Sequence, residues 1–184
     1  FYVYVAFVLA KNSFPNSFLE FWYIYDACHY INIAKLGYGT SDVQRVLIAF
    51  FPLYPGLIKL FSFVFRDYLI SGIIISNIAY ACAALYLYKL VSIKSSKDTA
   101  LRAVMYFSIF PTAYYMHGLY TESLFLALVI SCFYYARKER WMIAGILGAF
   151  LSATRLSGVI IILSLGLEYL HQKNWHIKDI KKDI

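Results

Sequence analysis

Residues Tyr68 to Val91 form an unbroken apolar run, disturbed only by Asn77 and by Lys89 near its end, and nothing else in the sequence narrows the choice of fold as much. As a helix this run reaches about 36 Å, enough to cross roughly 30 Å of hydrocarbon with some tilt. Further apolar runs lie at Leu101 to Met116, which carries Pro111, and at Leu119 to Ala136. They are bounded by Lys94-Ser95-Ser96-Lys97-Asp98 and by Arg137-Lys138-Glu139-Arg140. Inside hydrocarbon each backbone polar group must find its partner within the protein, so successive runs of this kind predict an all-α, polytopic integral membrane helical bundle. Composition agrees, since 61% of residues are hydrophobic and 15% charged, against about a quarter charged in a soluble domain.

The expected organisation is a single transmembrane domain, read as a fragment of a longer chain. Residues 1–10 are expected to end one span and 11–67 to form an external loop with interfacial helices. Residues 68–91, 101–116 and 119–136 are expected to be spans, 141–153 and 156–170 short membrane helices, and 171–184 a cytoplasmic tail. Phe18 to Leu36 interleaves apolar residues with Glu20, Asp26, His29, Asn32 and Lys35, and Gly37 offers a C-cap. Trp22, Tyr23, Tyr25 and Tyr30 suit the headgroup level.

The block Trp141 to Leu170 carries Arg155 in its middle. A single straight helix of about 45 Å would put its flanking basic clusters on opposite sides of the bilayer, against the positive-inside tendency. Two short helices meeting at Arg155 keep the Lys94, Arg137 and Lys173 regions in the cytoplasm. Asp26, the 117–123 connection and Arg155 then share the external side.

The net charge of +7 sits in the gaps between apolar runs rather than along one face, which fits loop charges and not a nucleic-acid surface. Cys28, Cys82 and Cys132 are scattered without a CxxC pair, so neither a disulfide framework nor a zinc site is implied. No Gly-rich phosphate loop or nucleophile elbow is present.

Asp26 lies among aromatic residues, where desolvation would raise its pKa toward that of a useful base; the same position equally suits the polar face of an interfacial helix. His29 follows one helical turn later. A cation in the middle of an apolar block costs roughly 3 kcal/mol on insertion scales, so Arg155 requires a partner. A phosphate matches its planar fork, and a structural pair with Glu122 or a carbonyl would serve as well. His117 and Glu122 place titratable groups where the third run opens, where Thr121 and Glu122 would also make an ordinary helix start.

Four segments carry a resemblance. Tyr25-Asp26-Ala27-Cys28-His29-Tyr30-Ile31-Asn32-Ile33-Ala34-Lys35-Leu36-Gly37-Tyr38 comes first, then Phe50-Phe51-Pro52-Leu53-Tyr54-Pro55. Tyr120-Thr121-Glu122-Ser123-Leu124-Phe125 and Ala153-Thr154-Arg155-Leu156-Ser157-Gly158 follow. In order and spacing they resemble the PIG-V family, the GPI mannosyltransferase 2 group with its prokaryotic relatives, over roughly residues 20 to 160. That family usually has Trp before the Asp, and here Tyr25 stands there.

The resemblance implies a GT-C type glycosyltransferase using a polyprenyl-phosphate sugar, typically mannose, and a lipid or glycan acceptor among membrane lipids, with no nucleic acid. It implies a catalytic acid in the first external loop, matched here by Asp26. For the inverting transfer then expected, Arg155 is the residue expected to stabilise the leaving donor phosphate as preorganised charge, with His29, Glu122, His117 and Tyr25 supporting Asp26 or binding the acceptor. No cofactor is expected, and a divalent metal is left open. A lipid-linked substrate transporter or flippase would need Arg155 and the aromatic helix but not Asp26, and a non-catalytic membrane subunit would need neither. An acyltransferase would rely on Asp26 with His29.

Overall fold

The computed structural model describes residues 22–23, 25–39 and 46–175. The expected span end at 1–10, the opening of the interfacial segment at 18–21 and the end of the tail beyond 175 lie outside the described residues. Among the described residues the protein is all-helical, with seven α-helices and short 3₁₀ turns between some of them.

Helix α1 (Asp26–Leu36) has Asp26 in its first turn and Lys35 in its last, each complementing the helix dipole. It stops at Gly37, whose φ of 76° suits a residue without Cβ and whose N–H donates to the Ile33 carbonyl at 2.8 Å. Its buried Ala27, Tyr30, Ile31 and Ala34 fall on one face at helical spacing. That face packs with Trp22, Tyr54, Ile58, Ile75 and Leu119 in one core cluster. Helix α2 (Leu53–Phe65) begins beside Pro52, which can start but not continue a helix.

Helix α3 (Tyr68–Val91) is capped by Asp67, whose carboxylate accepts from Ile70 N–H at 2.8 Å. It is the one helix among the described residues long and apolar enough to cross a membrane. Helix α4 (Lys97–Ile109) is capped by Ser96 accepting from Thr99 N–H at 3.2 Å. The apolar run from Leu101 to Met116 is divided. A residue before proline is pushed out of the α region, so Phe110 is extended and Pro111 opens a separate 3₁₀ turn, Pro111–Met116. Helices α5 (Glu122–Arg137), α6 (Trp141–Ser152) and α7 (Ile161–Gln172) complete the order, with a 3₁₀ turn, Leu156–Ile160, leading into α7.

The α3–α5 contact is made by small residues. Ala79 and Ala83 of α3 cluster with Ala127 of α5, and buried Ser123, Ala127 and Ser131 repeat every four residues along α5. Such stripes let two backbones approach closely. Leu119 fills the notch above Gly72, where a Cβ would stand 2.7 Å from the leucine side chain. Side-chain contacts fix the directions. Ser76 lies against the Tyr120 carbonyl while Tyr86 meets Tyr135, so α3 and α5 run the same way. Arg137 pairs with Glu168 of α7 at 2.8 Å, and α6 returns between them.

The bundle therefore has two unlike ends. Lys94, Lys97, Arg137, Lys138, Arg140 and Lys173 gather at one; Asp26, Thr121, Glu122 and Arg155 gather at the other. Large apolar side chains stay exposed along the flanks, among them Ile78 and Leu85 on α3, Met105 on α4, Met142 and Ile146 on α6, and Leu163 on α7.

Candidate active site

Three breaks in helical structure build the non-basic end. The first is the start of α1, where Tyr25 has φ 52° and ψ −128°. That conformation costs a non-glycine residue about 1–3 kcal/mol, and it presents Asp26 at the first position of the helix. The second is the turn through Gly118 and Thr121. A Cβ on Gly118 would stand 2.9 Å from the Trp22 ring, so only glycine lets the ring lie over the backbone here. The third is the break after α6.

There Ala153 N–H closes the α6 terminus on Ala149 and Phe150 carbonyls, and the Ala153 carbonyl accepts from Leu53 N–H of α2 at 3.0 Å. Buried Thr154 bonds the Leu151 carbonyl through its hydroxyl at 2.6 Å. Gly158 lies so close to the α6 terminus that a Cβ would stand 2.7 Å from the Leu151 carbonyl carbon. Arg155 leaves this knot in extended conformation and reaches the start of α5.

Its Nε donates to Thr121 Oγ1 at 2.6 Å and its Nη2 donates to Glu122 Oε1 in an ion pair. The guanidinium also stands 5.8 Å from the Phe125 ring centre. Side-chain exposure of 38% for Arg155 and 31% for Glu122 makes this a rim pair, open on one side. The second carboxylate oxygen, Glu122 Oε2, is buried with no hydrogen-bond partner among the described residues. The Nη1 hydrogens of Arg155 are not engaged by any described residue.

Two tyrosines join this pair to α1. Burial raises the Tyr30 pKa, the Thr121 hydroxyl and the Arg155 charge oppose the rise, and Glu122 and Asp26 add to it. Burial also pushes Tyr120 up to about 12, with Tyr115, Asp26, Glu122 and Tyr25 adding to the rise. Both phenols thus stand within electrostatic reach of Asp26 and Glu122 and keep their protons at neutral pH.

The structure brings Asp26, Tyr25, Glu122 and Arg155 to one end, linked through Tyr30, Tyr120 and Thr121. Asp26 is exposed, so its aromatic sequence neighbours do not bury it among the described residues. His29 is elsewhere engaged, its ring 5.0 Å from Phe50. His117 is held away from the pair: its Nδ1 hydrogen-bonds Asn77 Oδ1 of α3 at 2.8 Å and its ring meets Tyr80 at 4.6 Å. Burial lowers its pKa.

Sequence reasoning treated Thr121 as a helix start and Tyr30 as a headgroup-level ring, and missed both as partners of the charged cluster. The signal was present in Arg155 itself, whose five donors need more acceptors than one carboxylate supplies. Among the described residues no three His, Cys, Asp or Glu side chains gather as a metal site requires.

The family described as a predicted membrane protein family, DUF2079, matches residues 68–181. GPI mannosyltransferase 2 of Schizosaccharomyces pombe is 28% identical over 163 residues, which cover 85% of this chain and 34% of that protein. The chain thus spans about a third of that relative's length. No solved structure matches the chain.

Proposed function

The chain belongs to the DUF2079 family of predicted membrane proteins, and from that premise we propose that it is the catalytic part of a membrane glycosyltransferase of GT-C type. It takes a sugar, mannose first among candidates, from a polyprenyl-phosphate donor and passes it to a lipid or glycan hydroxyl. The observation that carries this reading is the convergence at one end of the bundle of an exposed carboxylate, Asp26, and a guanidinium, Arg155, with N–H donors that no described residue engages. The likeness to a mannosyltransferase supports the choice of reaction. Exposed apolar side chains on several helices support a polytopic arrangement, because an aqueous monomer rarely leaves such a surface bare.

Asp26 accepts the proton of the acceptor hydroxyl as its oxygen attacks the anomeric carbon. The bond from that carbon to the phosphate oxygen breaks on the opposite face, and the electron pair leaves on the phosphate. Arg155 stabilises the charge that develops there through its remaining N–H groups, a preorganised term that is usually the largest in such a site. Thr121 and Glu122 hold the guanidinium in place from behind. Tyr30 and Tyr120, buried and protonated at neutral pH, back the charged groups rather than contact the sugar.

The test is consumption of radiolabelled polyprenyl-phosphate mannose by the full-length protein in liposomes, with the anomeric configuration of the product read by NMR. Transfer or hydrolysis with inversion is expected. A donor that is never consumed, or a product of retained configuration, overturns the proposal. The ion pair with Glu122 favours a second reading, in which Arg155 is only a strut between α5 and the break after α6. In that case its removal lowers the melting temperature and leaves donor KM unchanged.

A further inference from the structure

The opposite end of the bundle holds a cavity of about 420 Å³ lined by Lys89, Tyr134, Tyr135, Lys138 and Arg140. Lys89 belongs to the last turn of α3, the tyrosines to the last turns of α5, and Lys138 and Arg140 to the turn between α5 and α6. This volume falls within the range of small-molecule sites, about 300–1,000 Å³. Among the described residues none of the three cations has an ion-pair partner. The neighbouring Arg137 is neutralised by Glu168 at 2.8 Å. Glu139 is turned by a left-handed backbone, φ 59°, and does not line the cavity.

The wall is rigid. Tyr86 and Tyr135 share a hydroxyl hydrogen bond of 2.9 Å, and Lys89 Nζ stands over the Tyr86 ring at 5.1 Å. We propose that this cavity binds a phosphate group, that of an anionic glycerophospholipid headgroup, at the end of the bundle opposite Asp26 and Arg155. Three cations without an ion-pair partner among the described residues, together with phenol hydroxyls around one cavity, match a phosphate diester, whose charge is fixed at neutral pH. Leu85 lies one turn back from Lys89 on the same face of α3 and is exposed. It continues the surface in apolar form, as an acyl chain below the headgroup requires.

The test uses the full-length protein in detergent. Retained lipids are read by native mass spectrometry, and melting temperature is followed on adding phosphatidylglycerol, phosphatidylcholine or inorganic phosphate. Retention of phosphatidylglycerol over phosphatidylcholine is expected. In the double variant Lys138→Gln with Arg140→Gln, affinity is expected to fall about tenfold or more. The variant Arg102→Gln, which removes a cation outside the cavity, is expected to keep the preference. Stabilisation by inorganic phosphate alone identifies a soluble phosphate as the occupant and keeps the site. If the double variant fails to fold, competition between inorganic phosphate and retained lipid on the wild type decides. No preference for the anionic lipid together with no effect of phosphate, or an unaltered preference in a folded double variant, overturns the proposal.

Discussion

Arg155 is the residue at which the two readings of the molecule diverge. It is anchored by Thr121 and Glu122 and still has N–H groups unengaged by the described residues. A phosphate bound there would gain a charge-assisted hydrogen bond worth about 1.5–3 kcal/mol. Arg155→Ala is therefore expected to lower kcat/KM for the donor by about ten- to a hundredfold, while Arg155→Lys keeps the charge and loses the fork. Steady-state kinetics against donor concentration checks this, with melting temperature as the control for the strut reading. His117 provides a different check on the same end. Burial depresses its pKa, and its neutral ring bonds Asn77. As pH falls through about 6.5 the unfolded histidine takes up a proton that the folded one resists. Stability is expected to drop from pH 7.5 to 5.5, and His117→Gln should flatten that slope in thermal melts.

The elements depend on a few positions where helices nearly touch. Gly158 lies against the end of α6, so Gly158→Ala must push the 3₁₀ turn away from the knot that aims Arg155. It is expected to reduce activity more than a distant helix substitution such as Gly166→Ala, where a Cβ meets nothing within 4 Å. Leu119 is fully buried above Gly72, and Leu119→Ala should destabilise by about 2–5 kcal/mol in chemical denaturation. Helical class was legible because apolar runs and charged clusters alternate along the sequence. The division at Phe110 follows from Pro111, and the stop at Gly37 from its missing Cβ. The exposure of Asp26 was not legible, because aromatic neighbours in sequence need not be neighbours in space. Nor was the engagement of His117 by Asn77, a contact between residues 40 apart along the chain.

At the scale of the whole molecule, a basic end and an end bearing Asp26 and Arg155 are separated along α5 by roughly 22 Å of helix. If the bundle sits in a bilayer with its basic end inward, single cysteines at Lys97 and Lys138 should be labelled from the cytoplasmic side by an impermeant maleimide. One at Tyr25 should be labelled from the other side. Labelling of all three from one side contradicts that arrangement. The central claim is that Asp26 is the base of sugar transfer, and the measurement that reaches it most directly is the transfer rate of Asp26→Asn beside wild type. The full-length proteins would be compared in liposomes at matched folded fraction. A loss of about 10²–10⁴ in rate with an unchanged melting temperature is the predicted result; a folded Asp26→Asn protein that transfers sugar at the wild-type rate would contradict it.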